Sequence, residues 1–486
     1  MTIPIRRTRL ILRPDKTRVL LRPFHPGDER RSRDIISRIL LIPEKQITPL
    51  LDEIRREFAG RHQDLSGIFL KRFESIETLA PAGMVLSEKR KQLIGSYFLS
   101  EYSLESAALF NPSMVIHPDQ DNLAEGSLRF ILSLRATGEG HVSSITFRAG
   151  VIASNSQIEI SQAAQFLSEA RHVPNARYQK DLFVRKLAEI GLNGDHTHRV
   201  MDPLGQSFTQ EELHSSLQTA KAHLGGDITQ ADLNEAQGIW MLARSNYEVQ
   251  FRPEQTLSER VLFPASPSQR NGIEDARFVR FLDGEGTYIY YATFTAYDGR
   301  VVMPELVETS DFLSFRFVTL NGPAARNKGM ALFPRRINGL YAMLSRQDKE
   351  NIHLMYSDNI HFWNDHQVIL KPKFPWELVQ LGNCGPPIET DQGWLVLSHG
   401  VGAMRKYCIG AFLLDRDDPS KVIGRMTEPL LTPDEDEREG YVPNVVYSCG
   451  AIVHRGQLII PYGLGDHSSS FVTAPLSTVL SAMKRS

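Results

Sequence analysis

The chain has 486 residues, enough for one large core or two to three ordinary ones. Its 55 Lys and Arg against 57 Asp and Glu leave a net charge of −2, so no global basic field exists to hold nucleic acid or an anionic membrane. Three cysteines (Cys384, Cys408 and Cys449), odd in number and without CxxC spacing, argue against a disulfide framework or a structural zinc site and for a reducing, cytoplasmic setting.

At the N-terminus, Arg6, Arg7, Arg9, Arg13, Lys16 and Arg18 interrupt every apolar run, leaving neither a signal-peptide core nor a spanning segment. From about Gly27 to Leu99 apolar residues recur three and four apart, which predicts helices. The texture changes at FNPSMV (Phe110), and Gly126–Ile152 reads as antiparallel strands broken by a Gly turn. Helical texture returns between about Ser161 and Ala243, with Thr209 and Glu212 at capping-box spacing. In that stretch Asp195, His196 and His198 (DHTH) mimic a metal site, but no third or fourth ligand matches and no metal is expected. After Arg244, Ser245, Asn246 and Tyr247 the chain is strands and turns.

This last part has a rhythm. A turn glycine precedes an apolar strand at Gly286, Gly339, Gly393 and Gly456, at intervals of 53, 54 and 63 residues, and Gly126 supplies a fifth copy. Such recurrence is the signature of propeller blades, with a β-sandwich as the rival. The expected fold is therefore mainly β: a five-bladed β-propeller over 105–486, with a helical insertion at about 160–243, after an N-terminal helical region over 1–104.

Two segments concentrate polar chemistry. NGIEDARF (Asn271–Phe278) supplies Glu274, Asp275 and Arg277. RNKGMALFPRRINGLYAMLSR places Arg326, Asn327 and Arg346 at either end of a strand–turn–strand unit. Guanidinium forks beside an amide suit an oxyanion or a polyhydroxylated ligand, although ordinary hairpins with surface ion pairs have the same spacing. Asp275 beside Arg277 stays ionised unless burial opposes it. On a regular strand, Glu274 would point away from Asp275. Tyr297 and Trp394 are candidates to stack on a sugar face, with core packing as the alternative for the tryptophan.

With LGNCGPPIETDQGWLVLSHGVG, LLDRDDPSKVIGR, EREGYVPNVVYSCG and YGLGDH following in order, these motifs resemble glycoside hydrolase family 130, the mannoside phosphorylases and related β-mannosidases. IEDARF is similar to the family's E-D-P-R turn, with Ala276 where proline is usual. The resemblance implies a five-bladed propeller with its active site in the central channel. It implies Asp275 as the acid that protonates the leaving oxygen, which calls for a raised pKa. It also implies phosphate contacts from Arg326, Asn327 and Arg346, and substrate contacts from Arg135, His399 and Asp466. Glu274, Arg277 and Gln380 join the substrate side, with Arg277 alternatively a structural partner of Asp275.

Gln380 stands where the phosphorylases carry lysine, so two reactions compete. Inverting phosphorolysis, giving α-mannose 1-phosphate, needs one acid because phosphate arrives charged. Inverting hydrolysis needs a second carboxylate roughly 6.5–9.5 Å from the acid, for which Glu389 and Glu437 are the candidates; the acidic run around Glu437 is otherwise a solvated loop. A catalytically silent sugar-binding propeller is the reading from another class. The expected partner is a β-manno-oligosaccharide or mannosylated glycan, with no nucleic acid and no membrane. No cofactor is expected beyond inorganic phosphate as co-substrate. The helical segments either cap the channel or form a homo-oligomer interface.

Overall fold

The computed structural model describes residues 3–174, 176–225, 228–299 and 302–485. The amphipathic stretch near the N-terminus becomes four helices, Glu29–Leu40, Glu44–Phe58, Leu65–Glu74 and Glu88–Ser96. Asp28, Asp64 and Ser87 cap three of them through side-chain oxygens. Their apolar stripes meet around Ile36, Leu51, Phe69, Phe73 and Leu93. Arg90 is drawn inside, where its guanidinium donates to the carbonyls of Ile39 (2.9 Å) and Ile42 (2.8 Å) at the end of the first helix.

Not all of this N-terminal span is helical. Val19–Pro23 pairs with Leu99–Ser103, and Arg6–Leu12 pairs antiparallel with Ser468–Pro475 near the opposite end of the chain. The fully buried Glu105 accepts from both Arg18 (2.9 Å) and Arg148 (2.8 Å), tying the N-terminal region to the first sheet. Removing any one of these three would strand a buried charge.

The second helical stretch also differs in part from expectation. Short strands at Ser168–Glu169, Arg171–His172 and Arg177–Gln179 precede the helices Lys180–Glu189, Asp195–Met201, Gln210–Leu224 and Gln230–Ser245. Capping boxes begin the last two, Thr209 with Glu212 and Thr229 with Asp232. These helices dock on the sheet through Lys186, whose buried ammonium donates to Asn246 Oδ1 (2.8 Å) and Thr319 Oγ1 (3.1 Å).

Antiparallel runs of strands carry the rest of the molecule, five among the described residues. The first holds Ala108–Ile116, Leu128–Thr137 and Ser143–Ile152; the second Gly272–Leu282, Tyr288–Tyr297, Val302–Thr309 and Ser314–Thr319. Lys328–Leu332, Tyr341–Arg346, Ile352–Ser357 and Gln367–Leu370 form the third. Gln380–Asn383, Gly393–Val401, Tyr407–Leu414 and Val422–Arg425 form the fourth. Val446–Tyr447, Gln457–Leu464, Ser468–Pro475 and Arg6–Leu12 form the fifth. In each run a glycine at positive φ stands just before or at the start of the second strand: Gly126, Gly286, Gly339, Gly393 and Gly456.

The first strands of these runs approach one another. Phe278 N–H donates to Ser113 Oγ (3.0 Å), Cys449 N–H to the Pro112 carbonyl (2.8 Å), and Arg277 Nε to the Cys384 carbonyl (2.7 Å). Polar side chains at the starts of these strands are thereby gathered in one place, while apolar side chains pack between neighbouring sheets. No helix among the described residues is long and apolar enough to cross a membrane.

Candidate active site

Asp275 lies within a register shift between Glu274 and Arg277, where strand Gly272–Leu282 bulges against Tyr288–Tyr297, and its φ is 54°. A bulge breaks the alternation of side chains. Glu274 therefore does not point away from Asp275 as a regular strand would require. Arg135 reaches both: Nη1 donates to Asp275 Oδ1 (3.2 Å) and Nη2 to Glu274 Oε1 (2.8 Å). Asn111, at φ 48° in a matching shift of the first strand, donates through Nδ2 to the same Asp275 oxygen (2.7 Å). Arg135 is itself fixed by Ser143 Oγ (2.9 Å) and by the Phe110 ring, 4.9 Å from its guanidinium carbon.

Electrostatics corrects the expected tuning of Asp275. Burial pushes Asp275 up, but Arg135, Lys328, Arg277 and the Asn111 amide outweigh it and hold the carboxyl at about 2. The carboxyl that rises is Asp466, pushed to about 6 by burial and by the Asp275 charge despite Arg135 and Arg405. Arg277 is buried, and it braces the site through the Cys384 carbonyl and Tyr447 Oη (2.7 Å each).

The opposite wall is basic. Asn327 (φ 64°) and Gly329 (φ 89°) turn the chain into strand Lys328–Leu332, whose first residue pairs across the ladder with Arg346. Asn327 Nδ2 donates to the Arg346 carbonyl (3.1 Å), so its amide fixes the backbone that carries the guanidinium. Arg346 Nη1 donates to His399 Nε2 (3.0 Å), and the Gln380 amide approaches the same nitrogen (3.3 Å). Burial, with Arg346 and Arg277 beside it, pushes His399 well below its usual value. The imidazole is therefore neutral, and the two donors facing Nε2 assign its proton to Nδ1. Glycine is required at 382: a Cβ there would lie 2.4 Å from His399 Cε1 and 3.2 Å from Arg346 Cδ. Arg326, next to Asn327, is exposed.

Several candidates are held elsewhere. Glu389 is paired with Arg335 (2.7 Å) and Arg416 (3.3 Å). Glu437 is buried against Arg7 (3.0 Å) and the Tyr462 hydroxyl rather than lying in a solvated loop. Trp394 is fully buried, with Nε1 donating to the Arg416 carbonyl, and is a core residue. Tyr297 donates to the nearby Gly299 carbonyl (3.0 Å). Asn246 serves the docking of the helices. His196 is buried 4.0 Å from Asp232, whereas Asp195 and His198 are on the surface of the same helix.

Three polar residues escaped the sequence reading. Asn111 sits in the FNPSMV segment, which marked only a change of texture. Lys328, inside the RNKG motif, donates through Nζ to Glu274 Oε2 (2.9 Å). Asn383 is fully buried with neither carboxamide atom hydrogen-bonded, as is Arg346 Nε. An asparagine or lysine inside such a run gives no spacing signal of its own; only the fold brings Asn111 to Asp275 and Lys328 to Glu274.

A family model described as β-1,4-mannooligosaccharide phosphorylase matches residues 241–485. The chain is similar to a 1,2-β-oligomannan phosphorylase of Thermoanaerobacter sp. (strain X514), 38% identical over 218 residues, which are 43% of this chain and 70% of that protein. It is similar to a β-1,2-mannobiose phosphorylase of Listeria innocua, 34% identical over 234 residues, 46% of this chain and 64% of that protein. It also resembles a β-1,4-mannooligosaccharide phosphorylase of Ruminococcus albus, 33% identical over 188 residues, of which it spans 56%. A solved β-1,2-mannobiose phosphorylase from Listeria innocua, in complex with β-1,2-mannobiose, superposes with a TM-score of 0.47 at 23% identity over 79% of this chain and 93% of that one. With the family matched across residues 241–485, which include Asp275, Arg326, Arg346, His399 and Asp466, the chain belongs to glycoside hydrolase family 130.

Proposed function

We propose that the protein cleaves β-mannosides by phosphorolysis with inversion, releasing α-mannose 1-phosphate and a shortened acceptor. The observation that carries this reading is the charge arrangement: Arg346, braced by the Asn327 amide, and Lys328 form a basic wall, and Lys328 joins it to the carboxylates Glu274 and Asp275 that Arg135 holds opposite. Phosphate on the basic wall attacks the anomeric carbon, the glycosidic C–O bond breaks, and the leaving oxygen takes a proton that originates on Asp275. The proton passes through a hydroxyl of the bound mannosyl unit. An ionised Asp275 in the free site is compatible with this role, because a phosphate anion offsets the cations that hold it low and favours protonation. His399 and Asp466 hold the mannosyl unit, and Arg135 orients the acid. The phosphorylase names of the relatives support the same reaction class.

Inverting hydrolysis remains the second reading, favoured by the neutral Gln380. It requires a free base, and Glu389 and Glu437 are each engaged by arginines. This weighs for phosphorolysis. In this reading the five antiparallel runs are the blades of a propeller over 105–486, to which Arg6–Leu12 adds the outer strand of the fifth blade. The helices of 1–104 and 160–243 cap the channel or join copies of the chain, and the protein works in the cytoplasm on β-manno-oligosaccharides or mannosylated glycans. The deciding experiment incubates the protein with β-1,2- and β-1,4-mannobiose, with and without inorganic phosphate. Mannose 1-phosphate formed only with phosphate supports phosphorolysis; free mannose released at an equal rate without phosphate establishes hydrolysis.

A further inference from the structure

Lys328 lies where the two walls meet. Its ammonium holds Glu274 Oε2 (2.9 Å), Glu274 Oε1 holds Arg135 (2.8 Å), and Arg135 holds Asp275 (3.2 Å). Lys328, Glu274, Arg135 and Asp275 thus form one chain of alternating charge that runs from the basic wall to the acid. Lys328 is its open end, with a side chain 35% exposed against 13–19% for the other three. An ammonium has three donors, and among the described residues one of them is used.

Two further observations point to a polar ligand beside it. Lys328 is the cross-strand partner of Arg346, so the two cationic side chains leave the same face of the hairpin, and among the described residues Glu274 alone balances Lys328 there. Next to Arg346, its own Nε and both carboxamide atoms of the fully buried Asn383 lack hydrogen-bond partners. Asn383 adjoins the same corner: a Cβ on Gly329 would lie 3.9 Å from its Oδ1 and 3.3 Å from Arg346 Cβ. Gln380, held at His399, contributes no charge there.

We propose that Lys328 is a positioning residue for the nucleophile: one donor keeps Glu274, and its free donors take the incoming phosphate together with Arg346, supplying the positive charge that Gln380 lacks. The inference rests on the phosphorolytic reading and names the residue that completes its oxyanion site. It also couples the two walls. A phosphate that shares Lys328 weakens the hold of Lys328 on Glu274, leaves Glu274 to Arg135 alone, and loosens the grip of Arg135 on Asp275.

The test measures phosphorolysis of β-1,2-mannobiose by the wild type, Lys328→Gln, Lys328→Arg and Lys328→Gln/Gln380→Lys, varying phosphate and mannobiose independently. Lys328→Gln should raise the KM for phosphate by about tenfold or more, as for one lost charge-assisted contact, with the KM for mannobiose within twofold. Lys328→Arg should recover most of that loss, and the double variant part of it by returning a cation to the corner. A brace with no contact to phosphate would instead lower kcat or stability in Lys328→Gln and leave the phosphate KM unchanged, which overturns the proposal. A wild-type enzyme that forms no mannose 1-phosphate overturns the phosphorolytic reading and this inference with it. A wild type that does form it, with an unmoved phosphate KM in Lys328→Gln, removes Lys328 alone.

Discussion

Glu274 and Asp275 are adjacent in sequence, and both carboxylates face the same guanidinium, that of Arg135. A regular strand forbids this, because successive side chains leave opposite faces. The left-handed backbone at Asp275 within the bulge permits it. The Asp275 carboxylate is thereby held ionised and anchored at Oδ1 by Arg135 and Asn111. In the proposed reaction it acquires its proton when a bound phosphate changes the balance of charge.

Asp275→Asn should abolish turnover while preserving the fold. The amide keeps an oxygen for Arg135 but has no proton to deliver to the leaving oxygen. Loss of a general acid lowers the rate by roughly 10²–10⁴-fold. The rate of release of mannose 1-phosphate, with circular dichroism as the folding control, decides it; a variant retaining more than about a tenth of the wild-type rate removes Asp275 from the mechanism.

Much of this was legible in the sequence because it rests on periodicity and punctuation. The turn glycines Gly286, Gly339, Gly393 and Gly456 lie at positive φ before or at the start of strands, and Thr209 and Glu212 form the capping box that their spacing suggests. Arg326, Asn327 and Arg346 bracket one hairpin, and the structure joins the Asn327 amide to the Arg346 carbonyl while leaving Arg326 exposed. The errors came from departures from regularity. The bulge at Asp275 reversed the facing expected of Glu274, and the raised pKa expected of Asp275 falls instead on Asp466, because cations gathered from several strands hold Asp275 low while burial and the Asp275 charge push Asp466 up. Glu437 sits in an acidic run that reads as solvated, and only the long-range pairing of Arg6–Leu12 with Ser468–Pro475 brings Arg7 to bury it.

Asp466 should leave a pH signature on stability. Its pKa is about 6 in the folded protein against an ordinary 3.8, so between those values the folded state binds a proton that the unfolded state has lost. Stability therefore falls as pH rises through this window, the reverse of a carboxylate whose pKa is lowered. For a shift of this size on a partly exposed group the contribution is about 1–3 kcal/mol. Urea unfolding of wild type and Asp466→Asn at pH 4 and pH 7.5 measures it: the variant should gain on the wild type at the higher pH. An equal difference at both pH values would place the Asp466 carboxyl in an ordinary environment.

The neutral His399 accepts from Arg346 and so steers that guanidinium. His399→Ala should free Arg346 and raise the KM for phosphate by about tenfold, as well as weakening β-mannoside binding by roughly 1–3 kcal/mol through lost or orphaned hydrogen bonds. Isothermal titration with a β-mannoside, beside phosphate saturation curves, separates the two effects. If neither moves, His399 is a core histidine.

Glu389 and Glu437 separate the two reaction classes. A base for water must be free to take a proton, whereas Glu437 is buried between Arg7 and Tyr462 and Glu389 is spread between Arg335 and Arg416. Glu437→Gln removes a buried carboxylate that accepts from Arg7 and Tyr462, while Asp434 still pairs with Arg7 at 3.2 Å, and should cost about 1–3 kcal/mol of stability. Glu389→Gln removes a more exposed pair and should cost about 1 kcal/mol or less. Neither should lower kcat for phosphorolysis by more than about twofold, because the nucleophile already carries its charge. Chemical denaturation gives the first pair of numbers and product release the second. A hundredfold loss of turnover in either variant, with the fold intact, would reveal a catalytic base and return hydrolysis to first place.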